Sequence, residues 1–375
     1  MIIGIDARML GSENGGIGRY VEQLIAHLGA VEQTNRYVIF LKKSHWDAVR
    51  ETDRVKKVLA DISWYSWQEQ WKFSRIIAKE RIDLMHFPHW NVPLLYRKPF
   101  VVTVHDLIMF HYPRAEATTH GPVAYWVKDR VHRMVVKYAV RRAKKIITTS
   151  EFTKRDIHET LGVPLEKMAV TYQAPFQIPN SKFQIPNSVS VLETHGIRKP
   201  YVLYVGTAYP HKNIRGLLNA WKIFKEKYQT DHQLVLAGRE SFFYDQLRPI
   251  VSKDSSVVFT GFVPDETLEA IYRQAELFVF PSLYEGFGLP PLEAMARGVP
   301  VVSSNRSCLP EVLGEAAVYA DPENYEQMAD AIYAGLTNEN LRFTMRQNAK
   351  QELLRYSWDR LAVETLNVYR FAASS

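Results

Sequence analysis

The chain has 375 residues, of which 46% are hydrophobic and 23% charged, and its formal net charge is +7. At roughly 150 residues per domain, this length predicts two or three domains. One cysteine, Cys308, excludes an internal disulfide and a cysteine-cluster zinc site. Met1 leads directly into a short strand-like run, and no apolar run approaches the length of a membrane span. We therefore expect a cytoplasmic protein with neither a signal peptide nor a spanning helix.

Ten short apolar runs alternate with helical patterns along the chain. Continuous apolar strands flanked by helices are typical of parallel sheets built from βαβ units. We therefore predict an α/β protein with a Rossmann-like parallel-sheet domain in each half and a final amphipathic helix over residues 359–371. The predicted strands are residues 2–5, 37–41, 84–87, 100–104, 145–149, 201–205, 233–237, 257–260, 277–280 and 299–303.

A tandem repeat marks the boundary between the two halves. Phe-Gln-Ile-Pro-Asn-Ser at residues 176–181 recurs at residues 183–188. A repeat with prolines and serines is typical of an insertion tolerated in a linker rather than of a core element. The predicted organisation is an N-terminal domain, a linker, a C-terminal domain and a final helix, at residues 1–175, 176–199, 200–357 and 358–375.

The positive charge lies in the first half of the chain, because residues 1–175 carry a net charge of +9 and residues 176–375 carry −2. Residues 128–145 hold eight basic side chains and one acid, and five of the basic residues share one helical face. Two interpretations stay open: an ordinary amphipathic surface helix, or a surface for an anionic membrane or a phosphate-bearing acceptor. The basic face is Arg130, Arg133, Lys137, Arg141 and Lys144, and the apolar face is Val127, Val131, Met134, Val135 and Tyr138.

Several chemistries are excluded by absent motifs. No Gly-Lys pair occurs, so there is no P-loop, and no Gly-x-Gly-x-x-Gly motif supports a dinucleotide dehydrogenase. No His-Glu-x-x-His helix and no Asp-x-Asp pair is present to hold a catalytic metal. We expect a protein that uses no metal and no cofactor and does not bind nucleic acid.

The segment after the predicted strand 277–280 carries the strongest functional pattern. A Gly-rich turn leads into a helix announced by Pro290 and Pro291, at the carboxyl end of a parallel strand where α/β sheets bind ligands. Free backbone N–H groups and the helix dipole at this place suit a phosphate. The turn consists of Gly286, Phe287, Gly288 and Leu289.

Two acids flank this turn, Glu285 and Glu293, with seven residues between them. Carboxylates accept hydrogen bonds from hydroxyls, and a nucleotide sugar carries hydroxyls at both ends of its diphosphate. We predict that Glu285 holds the sugar and Glu293 holds the ribose. The alternative for Glu293 is a carboxylate that caps the helix N-terminus.

This segment resembles the Glu-(seven residues)-Glu signature of the retaining glycosyltransferases of family four, which have the GT-B fold. The resemblance implies two Rossmann-like domains that face a central cleft, with the acceptor on the N-terminal domain and the nucleotide sugar on the C-terminal one. It also implies that the final helix crosses back to the N-terminal domain. Other blocks that resemble the family are residues 14–20, 103–107, 149–154, 204–207, 211–213 and 261–264.

In the first half, the resemblance points to the glycine loop with Gly15 and Gly16 and to His105. Glycine permits a ligand to approach the backbone closely, and the family likeness implies contact of Gly16 with the donor phosphate or the acceptor. The alternative is a tight turn without a ligand. His105 is implied to contact the transferred sugar through its side chain or its carbonyl, with a purely structural histidine as the alternative. Asp106 either orients His105 or caps the following turn.

In the second half, the resemblance points to Gly206, Thr207 and Lys212 as a diphosphate-binding turn. A cation here neutralises a leaving diphosphate without a metal, and stabilising such developing charge is often the largest catalytic contribution. The family often has an Arg where this chain has Thr207, and the candidates to replace it are His211 and Arg215. Arg239 follows another strand, as a contact to the nucleotide or as a solvated residue. Phe262 and Val263 offer an apolar wall to a base, or form a plain strand end.

The implied reaction is transfer of a hexose to a hydroxyl of a glycan or lipid-linked acceptor, with retention of anomeric configuration. The expected mechanism is front-face, in which the departing phosphate oxygen takes the acceptor proton; a covalent route through Glu285 is the alternative. We expect the catalytic residues to be Glu285, His105 and Lys212. The likeness to bacterial mannosyltransferases of cell-surface polysaccharide synthesis favours GDP-mannose, with UDP-glucose and other nucleotide hexoses open.

Further interpretations remain. An epimerase on the same fold needs base chemistry at the sugar ring, which the Glu285–Glu293 block does not suggest. A non-catalytic sugar- or membrane-binding protein is disfavoured, because Glu285, Lys212, His105 and Glu293 are all intact. The basic N-terminal half predicts peripheral contact with an anionic membrane. An aromatic stripe at residues 64–73 is interpreted as core packing; if exposed, it suits sugar stacking or a membrane interface.

Overall fold

A computed structural model describes residues 1–113, 121–176, 188–252 and 254–374 of the chain. The chain divides into two units, the first made of Met1–Gln173 together with Ser357–Ser375, and the second of Ala174–Tyr356. The predicted linker repeat at residues 176–188 lies outside the described residues, apart from its two end residues. Each unit is built around one parallel sheet.

The first unit contains a parallel sheet of seven strands within the described residues, in the order β3-β2-β1-β4-β5-β6-β7. Its central strands are wholly buried because helices cover both faces of the sheet, which explains their continuous apolar sequences. The strands are β1 (Ile2–Asp6), β2 (Arg36–Leu41), β3 (Val55–Leu59), β4 (Leu84–Phe87), β5 (Phe100–Val104), β6 (Lys145–Thr148) and β7 (Met168–Val170).

The helices of the first unit connect these strands. The helix α5 shows why they begin and end where they do: Ser150 accepts a hydrogen bond from the Thr153 N–H at its start, and Gly162 closes it in the left-handed conformation. A five-residue π-helix, Glu69–Phe73, precedes α2. The α-helices are α1 (Gly15–Val31), α2 (Ser74–Lys79), α3 (Ile108–His111), α4 (Gly121–Arg142) and α5 (Glu151–Leu161).

The second unit contains a parallel sheet of six described strands in the order β10-β9-β8-β11-β12-β13. The strands are β8 (Tyr201–Val205), β9 (Gln233–Ala237), β10 (Val257–Gly261), β11 (Leu277–Phe280), β12 (Val301–Ser304) and β13 (Ala317–Ala320). The helices are α6 (Ser188–Thr194), α7 (Ile214–Tyr228), α8 (Phe242–Leu247), α9 (Asp265–Gln274), α10 (Leu289–Ala296), α11 (Leu309–Leu313), α12 (Tyr325–Thr337) and α13 (Glu339–Leu353).

The prediction of two Rossmann-like parallel-sheet domains is confirmed. The ten predicted strands are present: five have the predicted bounds, and the ends of the other five differ by one or two residues. The three strands that the apolar runs did not predict are β3, β7 and β13, and each of them forms the edge of a sheet. β3 has two lysines among its five residues, and β7 and β13 are apolar but only three and four residues long, so none of them forms a long apolar run.

The last helix, α14 (Trp358–Ser374), belongs to the first unit, where it packs against α1. Tyr369 on α14 is fully buried, and its hydroxyl lies 2.6 Å from Nδ1 of His86 on β4. The chain of hydrogen bonds continues from His86 Nε2 to Thr103 Oγ1 at 2.8 Å and from Thr103 to the hydroxyl of Tyr20 at 3.0 Å. Burial lowers the pKa of His86 to about 3, so its ring is neutral and can both donate and accept.

The interpretation of the aromatic stripe as core packing was wrong for two of its residues, and the apolar face predicted for α4 is partly exposed. The aromatic stripe at residues 64–73 is only partly core: Phe73 is buried, but Trp67 is 88% exposed and Trp71 43% exposed. Trp67 lies just before the π-helix Glu69–Phe73 and Trp71 lies on it. The buried residues of this helix are Glu69 and Phe73. On α4, the predicted apolar face is divided: Val135 is buried, but Val131 is 48% exposed. The exposed apolar residues described on α4 are Trp126, Val127, Val131 and Met134.

We predict that Tyr369→Phe lowers the free energy of unfolding by about 1–3 kcal/mol, because it leaves the buried His86 Nδ1 without a partner. Urea denaturation followed by tryptophan fluorescence measures the change. The matched control is Tyr325→Phe at the partly exposed start of α12, for which we expect no measurable loss. Equal losses for the two variants would contradict the role assigned to the His86–Tyr369 contact.

Candidate active site

The carboxyl ends of β8 and β11 form the topological switch point of the second sheet. After β8, the strands β9 and β10 are added toward one edge of the sheet. After β11, which pairs with the other side of β8, the strands β12 and β13 are added toward the opposite edge. Loops that leave neighbouring strands in opposite directions open a crevice, which is where such sheets bind ligands. The two loops here are residues 206–213 and 281–288, and they contain Lys212 and Glu285.

Lys212 and Glu285 form an ion pair at this point. The distance from Lys212 Nζ to Glu285 Oε1 is 2.6 Å, and the side chains are only 17% and 8% exposed. Burying either charge alone would destabilise the folded protein, and the opposite charge of the partner offsets this cost. The predicted roles gave these two residues separate ligand partners, a diphosphate and a sugar; in the structure without a ligand they bind each other.

Backbone turns place Lys212 at the crevice. Residues Pro210–Lys212 form one 3-10 turn, and Asn213 follows in the left-handed conformation with φ of 55°. Asparagine tolerates this conformation better than most residues. Its side-chain amide donates to the carbonyls of Pro322 at 2.7 Å and Pro281 at 3.3 Å. Asn213 therefore fastens the loop after β8 to the loop after β11.

Glu285 is held by its own backbone and by a glycine turn. Its N–H donates to Ser307 Oγ at 3.0 Å. Gly288 adopts φ of +90°, and a Cβ there would lie 2.8 Å from Leu309 Cδ2. Both the dihedral and the close contact require glycine at this position. The turn is therefore fixed before any ligand binds.

The helix α10 that follows offers fewer amide donors than its position suggests. The first residues after Gly288 are Leu289, Pro290 and Pro291, and proline has no backbone N–H. Two of the four N–H groups that a helix N-terminus normally leaves unpaired are therefore missing. An anion at this end must rely on the amides of the turn, residues 286–289, together with Lys212.

Glu293 lies in the middle of α10 and is 8% exposed. The hydroxyl of Tyr272, on α9, donates to its Oε2 at 3.2 Å. The alternative of a capping carboxylate is wrong, because α10 has no acid in its first turn and no side-chain cap on its first N–H groups. Glu293 is therefore a buried hydrogen-bond acceptor on α10, the helix that begins where the turn after Glu285 ends.

Three glycines keep the neighbouring strand ends free of side chains. Gly206, Gly238 and Gly261 lie at or directly after the ends of β8, β9 and β10. The Gly206 N–H donates to the carbonyl of Ala237, and the Gly238 N–H donates to that of Gly261. A Cβ on Gly238 would lie 1.9 Å from the carbonyl oxygen of Gly206. A larger residue would separate these strand ends, which pack closely against one another beneath the Tyr244 hydroxyl, a donor to the Gly206 carbonyl at 2.9 Å.

Arg239, Phe262 and Val263 follow β9 and β10 at this same edge. The Arg239 guanidinium lies 5.4 Å from the centre of the Phe262 ring, and that ring is 59% exposed. Val263 beneath is buried. An exposed aromatic ring paired with a cation is suited to stack on a planar base. The structure thus brings these three predicted residues together.

Comparison with known proteins agrees with this architecture. Residues 14–174 match the family model "Glycosyltransferase Family 4", and residues 193–352 match "Glycosyl transferases group 1". The two matches together span most of the chain. The chain belongs to the family 4 glycosyltransferases. The family and enzyme class expected from the resemblance are thereby confirmed.

Individual relatives and solved structures support the same assignment. The O-antigen chain mannosyltransferase B of Escherichia coli is 29% identical over 95% of this chain and 96% of its own length. The O-antigen chain mannosyltransferase RfbU of Salmonella typhimurium is 29% identical over 73% of each chain. The structure of Anabaena Alr3699/HepE in complex with UDP-glucose superposes with a TM-score of 0.73 at 16% identity and covers 99% of both chains. The GT-B fold is thus confirmed.

The position of the family's arginine is occupied in this glycosyltransferase by Thr207, which is exposed. Of the two predicted substitutes, His211 is 1% exposed, and its ring stacks 5.9 Å from that of Tyr209. Arg215 is exposed on the first turn of α7. The buried His211 is therefore a poor candidate for a second cation, whereas Arg215 remains available to a ligand.

In the first unit, Gly15 and Gly16 begin α1 and are exposed. Gly15 has φ of +62°, which favours glycine. The close approach that the glycine motif implies occurs at Gly18, where a Cβ would lie 1.9 Å from the carbonyl oxygen of Gly11. Packing of the turn after β1 onto α1 therefore accounts for Gly18, while Gly15 and Gly16 leave an open backbone.

His105 ends β5, as predicted, but its ring is fully used within the first unit. Nε2 lies 2.9 Å from the Pro88 carbonyl oxygen and must donate to it, so Nδ1 accepts from Gln173 Nε2 at 3.4 Å. The ring is also 4.8 Å from that of Tyr20, edge to face. Burial lowers the pKa of His105 to about 4, so it is neutral at physiological pH. These contacts favour a positioning role over proton transfer.

The backbone around His105 is equally well fixed. Its carbonyl accepts from the hydroxyls of Thr149 at 2.9 Å and Thr153 at 3.3 Å. Asp106 Oδ1 accepts from the Ile108 N–H at 2.9 Å, which is the capping role that was one of its two predicted alternatives. The side chain of Asp106 thus serves the start of α3.

Several residues in and around the candidate site were given no role from the sequence. Ser307 and Asn213 position the Lys212–Glu285 pair. Asn213 lies in the family-like block 211–213, whereas Ser307 carries no charge or motif that would single it out. Arg8 and Glu69 form a buried ion pair with a 2.7 Å contact in the first unit. The available signal for Arg8 was a charged residue directly after a buried strand, at the edge where ligands bind.

The described residues offer neither a metal-binding cluster nor a membrane-crossing helix. In the parts of the chain that the structure describes, no group of three or more His, Cys, Asp or Glu side chains is placed to hold a metal ion. None of the described helices combines the length and the apolar character that a membrane crossing requires. That transfer needs no metal or cofactor stays a prediction.

We predict that Glu285→Gln lowers kcat for glycosyl transfer about 100-fold or more while nucleoside diphosphate binding is retained or strengthened, because Lys212 loses its counter-ion and becomes free for phosphate. Lys212→Gln should weaken nucleoside diphosphate binding as well as kcat. Steady-state kinetics and calorimetric titration with the nucleotide separate the two effects.

The control for these variants is an exposed ion pair in the same unit, Lys227–Asp330, at 2.7 Å. Lys227→Gln and Asp330→Asn should leave both kinetics and nucleotide binding unchanged, since exposed pairs contribute little. Full activity in Glu285→Gln would contradict the assignment of Glu285 to the active site.

Proposed function

We propose that this glycosyltransferase moves a hexose from a nucleotide sugar to a hydroxyl of a glycan or lipid-linked acceptor, with retention of anomeric configuration. The observation that carries the proposal is the Lys212–Glu285 pair at the switch point of the second sheet, next to strand ends where glycines allow a close approach of backbone. The cation of Lys212 suits the leaving diphosphate, and the carboxylate of Glu285 suits the hydroxyls of the sugar attached to it.

The donor is proposed to lie along the carboxyl edge of the second sheet. Lys212 and the amides of residues 286–289 bind the diphosphate, with Gly206 and Thr207 beside it. The base stacks on the exposed ring of Phe262, next to Arg239 and Val263. Glu293, already oriented by Tyr272, accepts from the ribose hydroxyls.

The proposed chemistry takes place on one face of the sugar. The bond between the anomeric carbon and the diphosphate oxygen breaks, and an oxocarbenium-like sugar forms. The acceptor oxygen then bonds to the anomeric carbon, and its proton passes to the departing phosphate oxygen. Lys212 stabilises the charge on that diphosphate, and Glu285 holds sugar hydroxyls. No enzyme base is required, which is compatible with the neutral, fully bonded ring of His105.

The ion pair also bears on the covalent alternative. A carboxylate nucleophile attacks through a free oxygen, and its retaining mechanism uses a second carboxyl group about 5–5.5 Å away. Glu285 instead has Lys212 at 2.6 Å from Oε1. An ammonium at this distance lowers the nucleophilicity of the carboxylate, so we favour the front-face route.

Mannose is the sugar that the relatives favour. The Escherichia coli and Salmonella typhimurium proteins are both named as mannosyltransferases of O-antigen chains. A third relative, 27% identical over 73% of this chain, is named as an α-(1→4)-mannosyltransferase from Mycolicibacterium hassiacum. We therefore propose GDP-mannose as the donor in cell-surface polysaccharide synthesis, with UDP-hexoses as the alternative.

We predict that GDP raises the melting temperature of the protein by more than UDP does at equal concentration, since ligands that bind only the native state stabilise it in proportion to RT ln(1 + [L]/Kd). Differential scanning fluorimetry with GDP, UDP and buffer measures this. Transfer from GDP-mannose to a mannoside, with the anomer of the product read by NMR, then tests the reaction. Stabilisation by UDP alone would contradict the choice of GDP-mannose.

A peripheral membrane contact is proposed for the first unit. On α4, Trp126 is 58% exposed and Met134 51% exposed, and the Arg130 guanidinium lies 5.1 Å from the Trp126 ring. Trp90 connects this helix to the exposed aromatic segment, because its ring lies 4.3 Å from that of His132 and 5.6 Å from that of Tyr65. Exposed tryptophans with adjacent cations suit the interface of an anionic membrane.

We predict that the protein binds vesicles with 30% anionic lipid more tightly than neutral vesicles at low salt. Arg130→Glu with Lys137→Glu should reduce the binding about tenfold or more, at roughly 1 kcal/mol per basic residue near the surface. Vesicle co-sedimentation measures the partition. The control with the same change in net charge is Lys222→Glu with Lys350→Glu, both exposed in the second unit. Equal binding to neutral and anionic vesicles would contradict the proposal.

A further inference from the structure

An ion-pair cluster lies at the carboxyl end of α10, apart from the residues proposed to touch the donor. Glu269 on α9 accepts from Arg273 Nε at 2.7 Å and from Arg297 Nε at 2.8 Å, and it also accepts from Arg297 Nη2. The side chains of Glu269 and Arg297 are only 6% exposed. Burying a charged pair seldom adds to stability, because apolar side chains of similar volume serve as well or better. The packing of the second unit alone therefore does not account for this cluster.

Arg297 holds the backbone of Glu293. The helix α10 ends at Ala296, so the carbonyl of Glu293 is one of the last four of the helix, which lack the usual N–H partner. The N–H of Arg297 donates to the Ala294 carbonyl at 3.0 Å instead. The Arg297 side chain supplies the missing donor, because its Nη1 donates to the Glu293 carbonyl at 2.7 Å. The end of α10 that carries Glu293 is therefore fastened to α9 through Glu269.

Arg297 also supports the residue that binds the Glu293 carboxylate. Its guanidinium lies 4.9 Å from the centre of the Tyr272 ring, a distance at which a cation and an aromatic ring attract each other. Tyr272 is 1% exposed, and its ring stacks 5.8 Å from that of Phe278 on β11. The Tyr272 hydroxyl lies 3.2 Å from Glu293 Oε2 and 3.4 Å from the Pro290 carbonyl oxygen. The Tyr272 ring is thus packed against both Phe278 and Arg297, which limits the positions of its hydroxyl.

All three nitrogens of the Arg297 guanidinium donate hydrogen bonds. Besides the contacts to Glu269 and Glu293, Nη2 donates to the Phe176 carbonyl at 3.3 Å. A lysine has a single nitrogen at the end of a flexible chain, so it cannot donate to these acceptors together. The planar fork allows one side chain to fix α9, the end of α10 and the backbone at Phe176. The structure therefore uses a property that is specific to arginine.

We propose that Arg297 is a positioning residue for the donor, which orients the Glu293 carboxylate toward the ribose through Tyr272 and the Glu293 carbonyl. Tyr272 occupies one side of Oε2, and the remaining lone pairs of the carboxylate accept from the two ribose hydroxyls. A site built to bind hydroxyls rejects a nucleotide that lacks them, because the buried acceptor is left without its donors. The inference rests on the proposed function and adds to it a selectivity for ribonucleotides that depends on Arg297.

The test uses the full-length protein with GDP, UDP and their 2′,3′-dideoxy counterparts in calorimetric titrations. The wild type should bind the preferred ribonucleotide about tenfold or more tightly than its dideoxy counterpart. Arg297→Lys should weaken ribonucleotide binding about three- to tenfold and leave dideoxynucleotide binding unchanged, so that the ratio of the two dissociation constants falls. In steady-state kinetics the KM for the nucleotide sugar should rise, with kcat unchanged.

Two further variants separate positioning from stability. Tyr272→Phe removes only the hydroxyl and should lower the ratio in the same way, which keeps the test open if Arg297→Lys does not fold. The matched control is Arg342→Lys, because Arg342 Nη1 donates to the carbonyls of Gly335 at 3.1 Å and Leu336 at 3.2 Å near the end of α12. This arginine has the same role on another helix, and its substitution should leave the ratio unchanged.

The outcomes distinguish this inference from the proposed function. Equal losses of ribonucleotide and dideoxynucleotide affinity in Arg297→Lys, or a wild type that binds both alike, would overturn the proposal. A ratio that depends on Arg297 in a protein without transfer activity would support the positioning role and count against the proposed function alone. Transfer activity with a ratio unaffected by Arg297→Lys would do the reverse.

Discussion

The buried ion pair between Lys212 and Glu285 is the constraint on which the functional edge of the second unit depends. A lone charge at this depth would cost several kcal/mol, so both side chains must be held within hydrogen-bond distance. That requirement explains the left-handed turn at Asn213 and the glycine at position 288, which aim two loops from different strands at one point. The proposed donor would meet charges that are already in place instead of charges assembled on binding, which favours preorganised catalysis.

Much of the fold could be predicted from the sequence, because interior strands of a parallel sheet are buried on both faces and therefore continuously apolar. The strands that escaped prediction are β3, with two lysines among its five residues, β7, with three residues, and β13. All three are edges, where one side of the strand has no neighbour. The exposed face of α4 escaped for a related reason: the spacing of Val127, Val131 and Met134 reveals a shared face but not whether anything covers it.

The candidate site divides in the same way. Glu285, Glu293 and the glycines could be predicted because they are close in sequence and follow strands. Contacts between distant residues could not, since Lys212 and Glu285 are 73 positions apart and Arg8 and Glu69 are 61 apart. The full use of the His105 ring by its neighbours is visible only in three dimensions. The missing amide donors of Pro290 and Pro291 can be read from the sequence, but the structure shows that both residues lie in the first turn of α10.

The place of α14 has a consequence for biosynthesis. The first unit needs residues 357–375 to complete its core, and Tyr369 joins β4 through the buried His86. Domains generally fold as they leave the ribosome, starting from the N-terminus. Here the whole second unit is synthesised before α14. The core of the first unit therefore stays incomplete until translation reaches the last helix. A premature stop anywhere in the second unit would therefore leave both halves of the enzyme incomplete.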